Sequence, residues 1–275
     1  MWRKIICDIY LWLTFHVPLQ LTMDATKSFF LLCFLLCGQA QAESCAISLR
    51  VESSPNNAVI EQYNGSKLFQ QSYALLEALV AKASCQLLPI SLANDDAIKK
   101  LKDGSLGVMM GMSRMASREN FSYFIGSYHM EKVVVVGDKN MKGRYTSLND
   151  ILSLKGLISV TKSAYYGPQW QQALLQKPSL EQRLVKVNEN QQKFTMLLLN
   201  RVSFSMEDEK VVDQYLAIEE YKNRFAKLFT VHENPVYFAF SKKAISKALY
   251  NKLTDEWLKM ELSGEVTAIK LKYQD

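Results

Sequence analysis

Short runs of strand-forming residues alternate with amphipathic helical patterns along the chain, and this alternation constrains the fold more than any other feature. Near the start, Ile47, Leu49 and Val51 alternate with polar residues, as in a half-buried strand. Apolar positions over residues 69–83 then recur at helical spacing, and the alternation continues to a long amphipathic helix around Trp257. Strands that alternate with helices favour parallel sheets, so the sequence predicts an α/β protein.

The remaining elements are predicted from the same periodicities. Asn94 can begin a short helix that Gly104 ends, and Pro168 can begin another directly after Gly167. Connecting segments over 137–146 and 229–235 indicate that the chain leaves a first sheet and later returns to it. Further strands are predicted over 87–90, 106–110, 133–136, 157–160, 184–187, 202–206 and 236–240, and further helices over 191–200 and 210–221.

The first 42 residues have the layout of an export signal. A short segment from Met23 carries one lysine, an apolar run covers 29–37, and Ala40 and Ala42 supply the small residues of a cleavage site. This pattern predicts a leader over 1–42, translation from Met23, a mature protein that begins at Glu43, and a periplasmic location. A genuine N-terminal anchor over 1–22 is the alternative.

Removal of the leader leaves two cysteines, Cys45 and Cys85. In an oxidising compartment two cysteines favour one disulfide, which here would join the first predicted strand to the start of the second. Two free buried thiols are the alternative.

Charge and motif content argue against several classes of function. The chain has 33 basic and 27 acidic residues, interspersed and without a run of five basic residues, so a nucleic-acid groove is not expected. Only His129 and His232 follow the leader, and no zinc, phosphate-loop, dinucleotide or serine-hydrolase motif is present. The sequence therefore predicts no metal, no cofactor and no catalytic residue, and it favours a protein that is not an enzyme.

A set of motifs resembles a known family. Residues 101–108, LKDGSLGV, lead into Ser113-Arg114-Met115-Ala116-Ser117-Arg118, followed by Phe124, Tyr128 and the apolar run 133–136. This order resembles the family 3 extracellular solute-binding proteins, the periplasmic receptors of amino-acid-type ABC importers. Further matching pieces lie in order at 147–156, 163–167, 197–208, 237–242 and 263–273. The chain departs from the family pattern at Gly107 and Ser203, where the family has aspartate, and at Met115, where it has threonine.

The resemblance implies an α/β, two-lobed periplasmic-binding-protein fold of type II with a two-strand hinge. Lobe 1 would comprise 43–136 plus 236–275, and lobe 2 would comprise 137–235. Hinge closure would trap a small amino-acid-like or carboxylated ligand between the lobes. The partner would be an inner-membrane ABC permease or a sensor protein, and the receptor would be a monomer.

The resemblance also implies ligand-binding residues. Arg118 offers a planar fork for a carboxylate, and Ser113 would donate beside it. Ser163 and Tyr165 lie just before a helix start, where free N–H groups favour an anion, and Asp208 would accept an ammonium group. Each residue also has an ordinary structural interpretation. Arg118 would be a surface arginine near Glu119, and Ser113 would be a turn residue. Ser163 and Tyr165 would belong to a loop that caps a helix, and Asp208 would lie in a solvated acidic turn.

Two further functions remain open from the sequence. One is a lyase-like or dehydratase-like enzyme built on the same lobes. The other is a divergent sensor or orphan binding domain that has kept the fold.

Overall fold

The computed structural model describes residues 45–52 and 67–273, and the predicted leader and its cleavage site lie outside them. None of the described helices is long and apolar enough to cross a membrane. The strands are β1 (Cys45–Val51), β2 (Cys85–Ser91), β3 (Val108–Ser113), β4 (Ser122–Asp138), β5 (Ile158–Thr161), β6 (Leu184–Val187), β7 (Phe204–Asp208) and β8 (Phe225–Ser241). The α-helices are α1 (Lys67–Lys82), α2 (Asn94–Asp103), α3 (Ala116–Glu119), α4 (Leu148–Ser153), α5 (Pro168–Gln176), α6 (Asn190–Leu198), α7 (Glu209–Leu216), α8 (Glu219–Lys222), α9 (Lys247–Leu262) and α10 (Glu265–Leu271).

The described strands form one sheet in the order β2-β1-β3-β8-β4-β7-β5-β6. Strand β1 pairs in parallel with β2 and β3, and β5 pairs in parallel with β6 and β7. The two long central strands, β4 and β8, are antiparallel and pair with each other from Ser122 to Asp138. Two parallel groups of strands are therefore joined through one antiparallel pair.

The buried apolar residues fall into two sets, which define the lobes used below. The first lobe packs α1, α9 and α10 around β1 and the Ile125 and Phe238 ends of the central strands, with a smaller cluster under α2. The second lobe has two clusters. One contains Trp170 and packs around β5 and β7, and the other contains Phe194 and packs against Val134 and Val136 of β4. Each parallel group of strands thus has its own core.

The central strands extend further than the sequence patterns predict. The apolar runs 133–136 and 236–240 are the buried parts of 17-residue strands, whose other residues are mostly half-buried and show no continuous apolar face. Val133 to Val136 also pack into the second-lobe clusters. The division after residue 136 stays a proposal, and this packing favours a first crossing near Val133 instead.

Gly107 lies where the backbone passes unusually close to β1, which explains one departure from the family pattern. Its N–H donates to Ser48, with the hydroxyl oxygen at 2.7 Å. A Cβ atom at this position would lie 2.7 Å from Ile47 Cγ2 and 3.0 Å from the Ser48 carbonyl oxygen. An aspartate does not fit there without moving the first strand.

A disulfide joins Cys45 to Cys85, as the sequence predicts. The two residues are register partners at the start of the parallel pair β1–β2, and their Cα atoms are 4.4 Å apart. The bond links positions 40 residues apart and fixes the edge of the first-lobe sheet. Its main effect in chain-entropy terms is to restrict the unfolded chain.

The double variant Cys45→Ala/Cys85→Ala should lower the free energy of unfolding by ~2–4 kcal/mol, because its unfolded chain is no longer cross-linked. Urea denaturation of the mature protein measures this. As the control, a reductant should lower the midpoint of the wild type and leave that of the variant unchanged. Two alkylatable thiols in the unfolded, unreduced wild type would contradict the assignment.

Candidate functional site

A cavity of about 170 Å³ lies between first-lobe and second-lobe elements. It is bounded on one side by β3 and α3, and on the other by the loop after β5 and the end of β7. All five residues that the sequence predicts as ligand-binding lie on its wall: Arg118, Ser113, Ser163, Tyr165 and Asp208.

Arg118 is a buried arginine that contacts both lobes. It lies in the short helix α3, and only 9% of its surface is exposed to solvent. One guanidinium nitrogen donates to the Ser113 carbonyl at 3.0 Å, and the other donates across the cavity to the Ser163 carbonyl at 2.9 Å. Glu119 pairs with Arg114 at 2.5 Å instead, so the interpretation of Arg118 as a surface arginine beside Glu119 is wrong.

Ser113 ends β3 and is almost completely buried, which distinguishes it from an exposed turn residue. Its carbonyl orients Arg118, and its side chain hydrogen-bonds to the Glu131 carboxyl group. Ser113 therefore positions one basic and one acidic group on the cavity wall.

The loop that carries Ser163 and Tyr165 has an unusual backbone. Ser163 has a φ of +61°, in the left-handed region that non-glycine residues rarely adopt. Gly167 ends the loop at a φ of +94°, and a Cβ atom there would lie 2.5 Å from His232 Cγ. The Tyr165 ring meets His232 edge-on at 5.5 Å. These contacts fix the loop against β8, with the Ser163 carbonyl directed at Arg118.

Asp208 is buried rather than solvated, and its carboxylate already has partners. One oxygen accepts from the Lys210 N–H and caps α7, while the other accepts from the Lys132 N–H at 3.3 Å. His129 Nε2 lies 3.0 Å from that second oxygen. Asp208 reaches the cavity wall, but its oxygens are engaged by β4 and by the helix it begins.

Sequence reasoning missed Glu131, one of the carboxyl groups that line the cavity beside Asp208. Its Oε2 is buried and has no hydrogen-bond partner among the described residues. Burial, with smaller effects from Glu207 and Asp208, raises the pKa of Glu131 to about 8. A single acid beside the apolar run at Val133 was the available signal in the sequence.

Lys193 and Glu207 form an ion pair behind the same wall. Lys193 is completely buried in α6, and its ammonium group donates to Glu207, to Thr161 Oγ1 at 2.8 Å and to the Met206 carbonyl at 3.1 Å. Burial opposes the charged form, but the contact with Glu207 outweighs it and keeps the pKa of Lys193 above its usual value. The pair ties α6 to β7 and neutralises Glu207.

Hydrogen bonds between described residues cross from one side of the cavity to the other. Besides the Arg118 contact, Asn94 Nδ2 donates to the Lys162 carbonyl at 2.7 Å, and the Asn190 N–H donates to Glu52 Oε1 at 3.0 Å. In the described part of the chain, no group of three or more His, Cys, Asp or Glu residues could hold a metal ion. The arrangement is suited to holding a polar molecule between two surfaces.

No protein-family model matches the chain, and no curated protein matches it. Solved structures do. An ancestral arginine-binding protein bound to arginine has a TM-score of 0.67 at 17% identity, covering 84% of this chain and 98% of that chain. An amino acid ABC transporter substrate-binding protein from Streptococcus pneumoniae, bound to L-arginine, has a TM-score of 0.62 at 17% identity, with 83% and 93% covered.

A histidine kinase sensor domain with similarity to periplasmic binding proteins is also similar, with a TM-score of 0.65 at 12% identity and 83% and 95% of the two chains covered. At these identities the likeness concerns the fold. The chain has the two-lobed α/β fold of periplasmic binding proteins that the family resemblance implies.

The elevated pKa of Glu131 predicts how stability depends on pH. The folded ligand-free protein holds this proton up to a pKa of about 8, whereas the ordinary value is 4.5, so the folded state binds more protons between these limits. Stability should therefore fall as the pH rises through this window. At ~1.4 kcal/mol per pKa unit, the loss should be on the order of 5 kcal/mol.

Urea denaturation of wild type and Glu131→Gln at pH 5 and pH 8.5 measures this effect. The stability of the variant should lack the fall with rising pH that Glu131 causes, and the variant should be more stable than the wild type at pH 8.5. Glu261→Gln, which changes an exposed glutamate, is the control and should behave as wild type. Equal pH dependence of wild type and Glu131→Gln would contradict the assignment.

Proposed function

We propose that this chain is a solute-binding receptor of the family 3 extracellular type, which captures a small amino-acid-like molecule between its lobes. The observation that carries the proposal is the position of Arg118, buried in the wall of a polar cavity and hydrogen-bonded to both sides of it. The cavity of about 170 Å³ is smaller than the ~300–1,000 Å³ that drug-sized ligands occupy, which favours a small metabolite.

The chemistry of Arg118 suits a carboxylate. Two guanidinium nitrogens are oriented by the carbonyls of Ser113 and Ser163, and the group keeps further N–H donors for a ligand. A carboxylate bound by a planar, pre-oriented guanidinium forms charge-assisted hydrogen bonds in a fixed geometry. The contact to Ser163 depends on the two lobes being close, so ligand capture and lobe closure would be coupled through this residue.

Export and partners follow from the same proposal. The leader pattern and the Cys45–Cys85 disulfide support a periplasmic location, where an oxidising environment maintains such a bond. The likeness to amino acid ABC transporter substrate-binding proteins supports delivery to an inner-membrane ABC permease. The likeness to a histidine kinase sensor domain favours a second output, in which the loaded receptor contacts a sensor protein. The similar structures are binding proteins rather than enzymes, which supports a role without catalysis.

Binding of the mature protein to the twenty L-amino acids tests the proposal, first by thermal shift and then by calorimetry on each positive compound. At least one amino acid should raise the melting temperature and bind at a single site. If no amino acid binds, the proposed function is wrong.

Arg118→Ala should weaken that binding at least tenfold, because truncating one partner of a desolvated charge pair commonly costs ~2–5 kcal/mol. Arg118→Lys keeps the charge but loses the fork, so an intermediate loss is expected. Arg114→Ala is the matched control, since Arg114 is exposed and pairs with Glu119 on the surface. Binding by Arg118→Ala within about threefold of wild type would show that the anchor lies elsewhere.

A further inference from the structure

The ionisable groups on the cavity wall are compensated, with one exception. Asp208 is held by β4 and by the start of α7, and Glu207 is paired with the buried Lys193. Glu52 accepts from the Asn190 N–H and interacts favourably with Arg50. These contacts leave no strong cation acceptor among these three carboxylates.

Glu131 is the exception. It lies on β4, where the chain crosses from one lobe to the other, and it lines the cavity. Its Oε2 is buried and without a hydrogen-bond partner, while Ser113 bonds to the same carboxyl group. Arg118 faces it from α3 and favours its ionised form.

We propose that Glu131 is the cation acceptor of this cleft, and that the ligand is a small molecule with a net positive charge, of the basic amino acid class. This inference rests on the proposed function and specifies its ligand. It assigns to Glu131 the role that the family resemblance implies for Asp208.

Charge balance on the wall supports a cation rather than a neutral ligand. Four carboxyl groups, those of Glu52, Glu131, Glu207 and Asp208, face Arg50 and Arg118, with Lys193 directly behind. Glu189 also interacts with Arg50, so the acidic groups outnumber these three cations even with Glu131 protonated. Ionisation of Glu131 increases the excess of negative charge, which a ligand of net positive charge offsets. A zwitterion can place its ammonium group against Glu131, but it brings no net positive charge to this acidic wall, whereas a basic amino acid does.

The proton on Glu131 provides a signature of this binding. Burial comes first among the causes that raise the pKa of Glu131 to about 8, followed by the negative charges of Glu207 and Asp208, while Arg118 opposes them. From its own strand, Tyr128 and His129 also face this region, and His129 contacts Asp208. Near neutral pH the free receptor therefore carries a protonated Glu131. A cation that binds the ionised carboxylate displaces this proton, so affinity rises with pH up to the pKa.

Calorimetry with L-arginine tests the proposal, with L-citrulline as the isostere whose side chain is uncharged. In two buffers of different ionisation enthalpy at pH 6.5, L-arginine should release close to one proton per molecule bound. Its affinity should rise about tenfold per pH unit from pH 6 towards pH 8, as expected when only the ionised acceptor binds. L-Citrulline should bind at least tenfold more weakly at pH 8.

Glu131→Gln should bind L-arginine at least tenfold more weakly at pH 8 and should lose both the proton release and the pH slope. Glu233→Gln is the matched control, because Glu233 is an exposed glutamate on the neighbouring strand β8 and lies outside the cavity wall. It should behave as wild type.

Several results would overturn the proposal. They are binding of L-arginine without proton release, an unchanged affinity in Glu131→Gln, or a preference for L-citrulline, L-glutamine or L-glutamate over L-arginine. In the last case the proposed function still stands, because an amino acid is bound. If no amino acid binds at all, the proposed function fails first. Should Glu131→Gln not fold, the proton count on the wild type still decides the matter.

Discussion

The structure depends on one antiparallel pairing, that of the two 17-residue strands β4 and β8. Each strand contributes to both lobes, so the parallel groups of strands on either side are held in register through a shared centre. Long-range contacts of this kind fix the position of the cleft: β3 ends on one side of the pair, and β7 ends on the other. The position of the candidate site is a consequence of where these neighbouring strands end.

The cleft is also organised by its charges. Backbone carbonyls orient Arg118, and the buried Lys193 neutralises Glu207. The Asp208 carboxylate contacts His129 and accepts a hydrogen bond from the first turn of α7. Buried charges are tolerated only when they are compensated in this manner. Glu131 is an exception, because one oxygen of its carboxyl group is buried without a hydrogen-bond partner. A group of this kind in a cavity is a candidate for contact with a ligand.

The α/β class was predictable from local patterns in the sequence, whereas the two-lobed arrangement was implied only by the family resemblance. Apolar periodicity, the residues around Gly104 and Pro168, and the two cysteines each report on short segments. The central strands were predicted too short, since residues of β8 between Phe225 and Val236 are mostly half-buried and lack a regular alternation. The pairing of β4 with β8 therefore could not be read from periodicity alone.

The residues of the candidate site were predictable only where they belong to a motif that resembles the family pattern. Arg118 and Ser113 belong to one turn, and the structure brings that turn to the cavity together with Ser163 and Tyr165. The partners that decide the chemistry are distant in sequence: His129 and Asp208 are 79 residues apart, and Arg118 and Ser163 are 45 apart. No spacing rule links such residues, so the contacts of Glu131 and Lys193 with the cavity wall emerge only from the folded arrangement.

The central claim is that ligand is captured between the lobes at Arg118. Hydrogen–deuterium exchange of the mature protein, with and without the amino acid that gives the largest thermal shift, tests it most directly. The account predicts slower exchange in the segments 111–118 and 161–167, which face each other across the cavity, and little change along the outer strand β2. Protection confined to other surfaces, or none in either segment at saturating ligand, would contradict it.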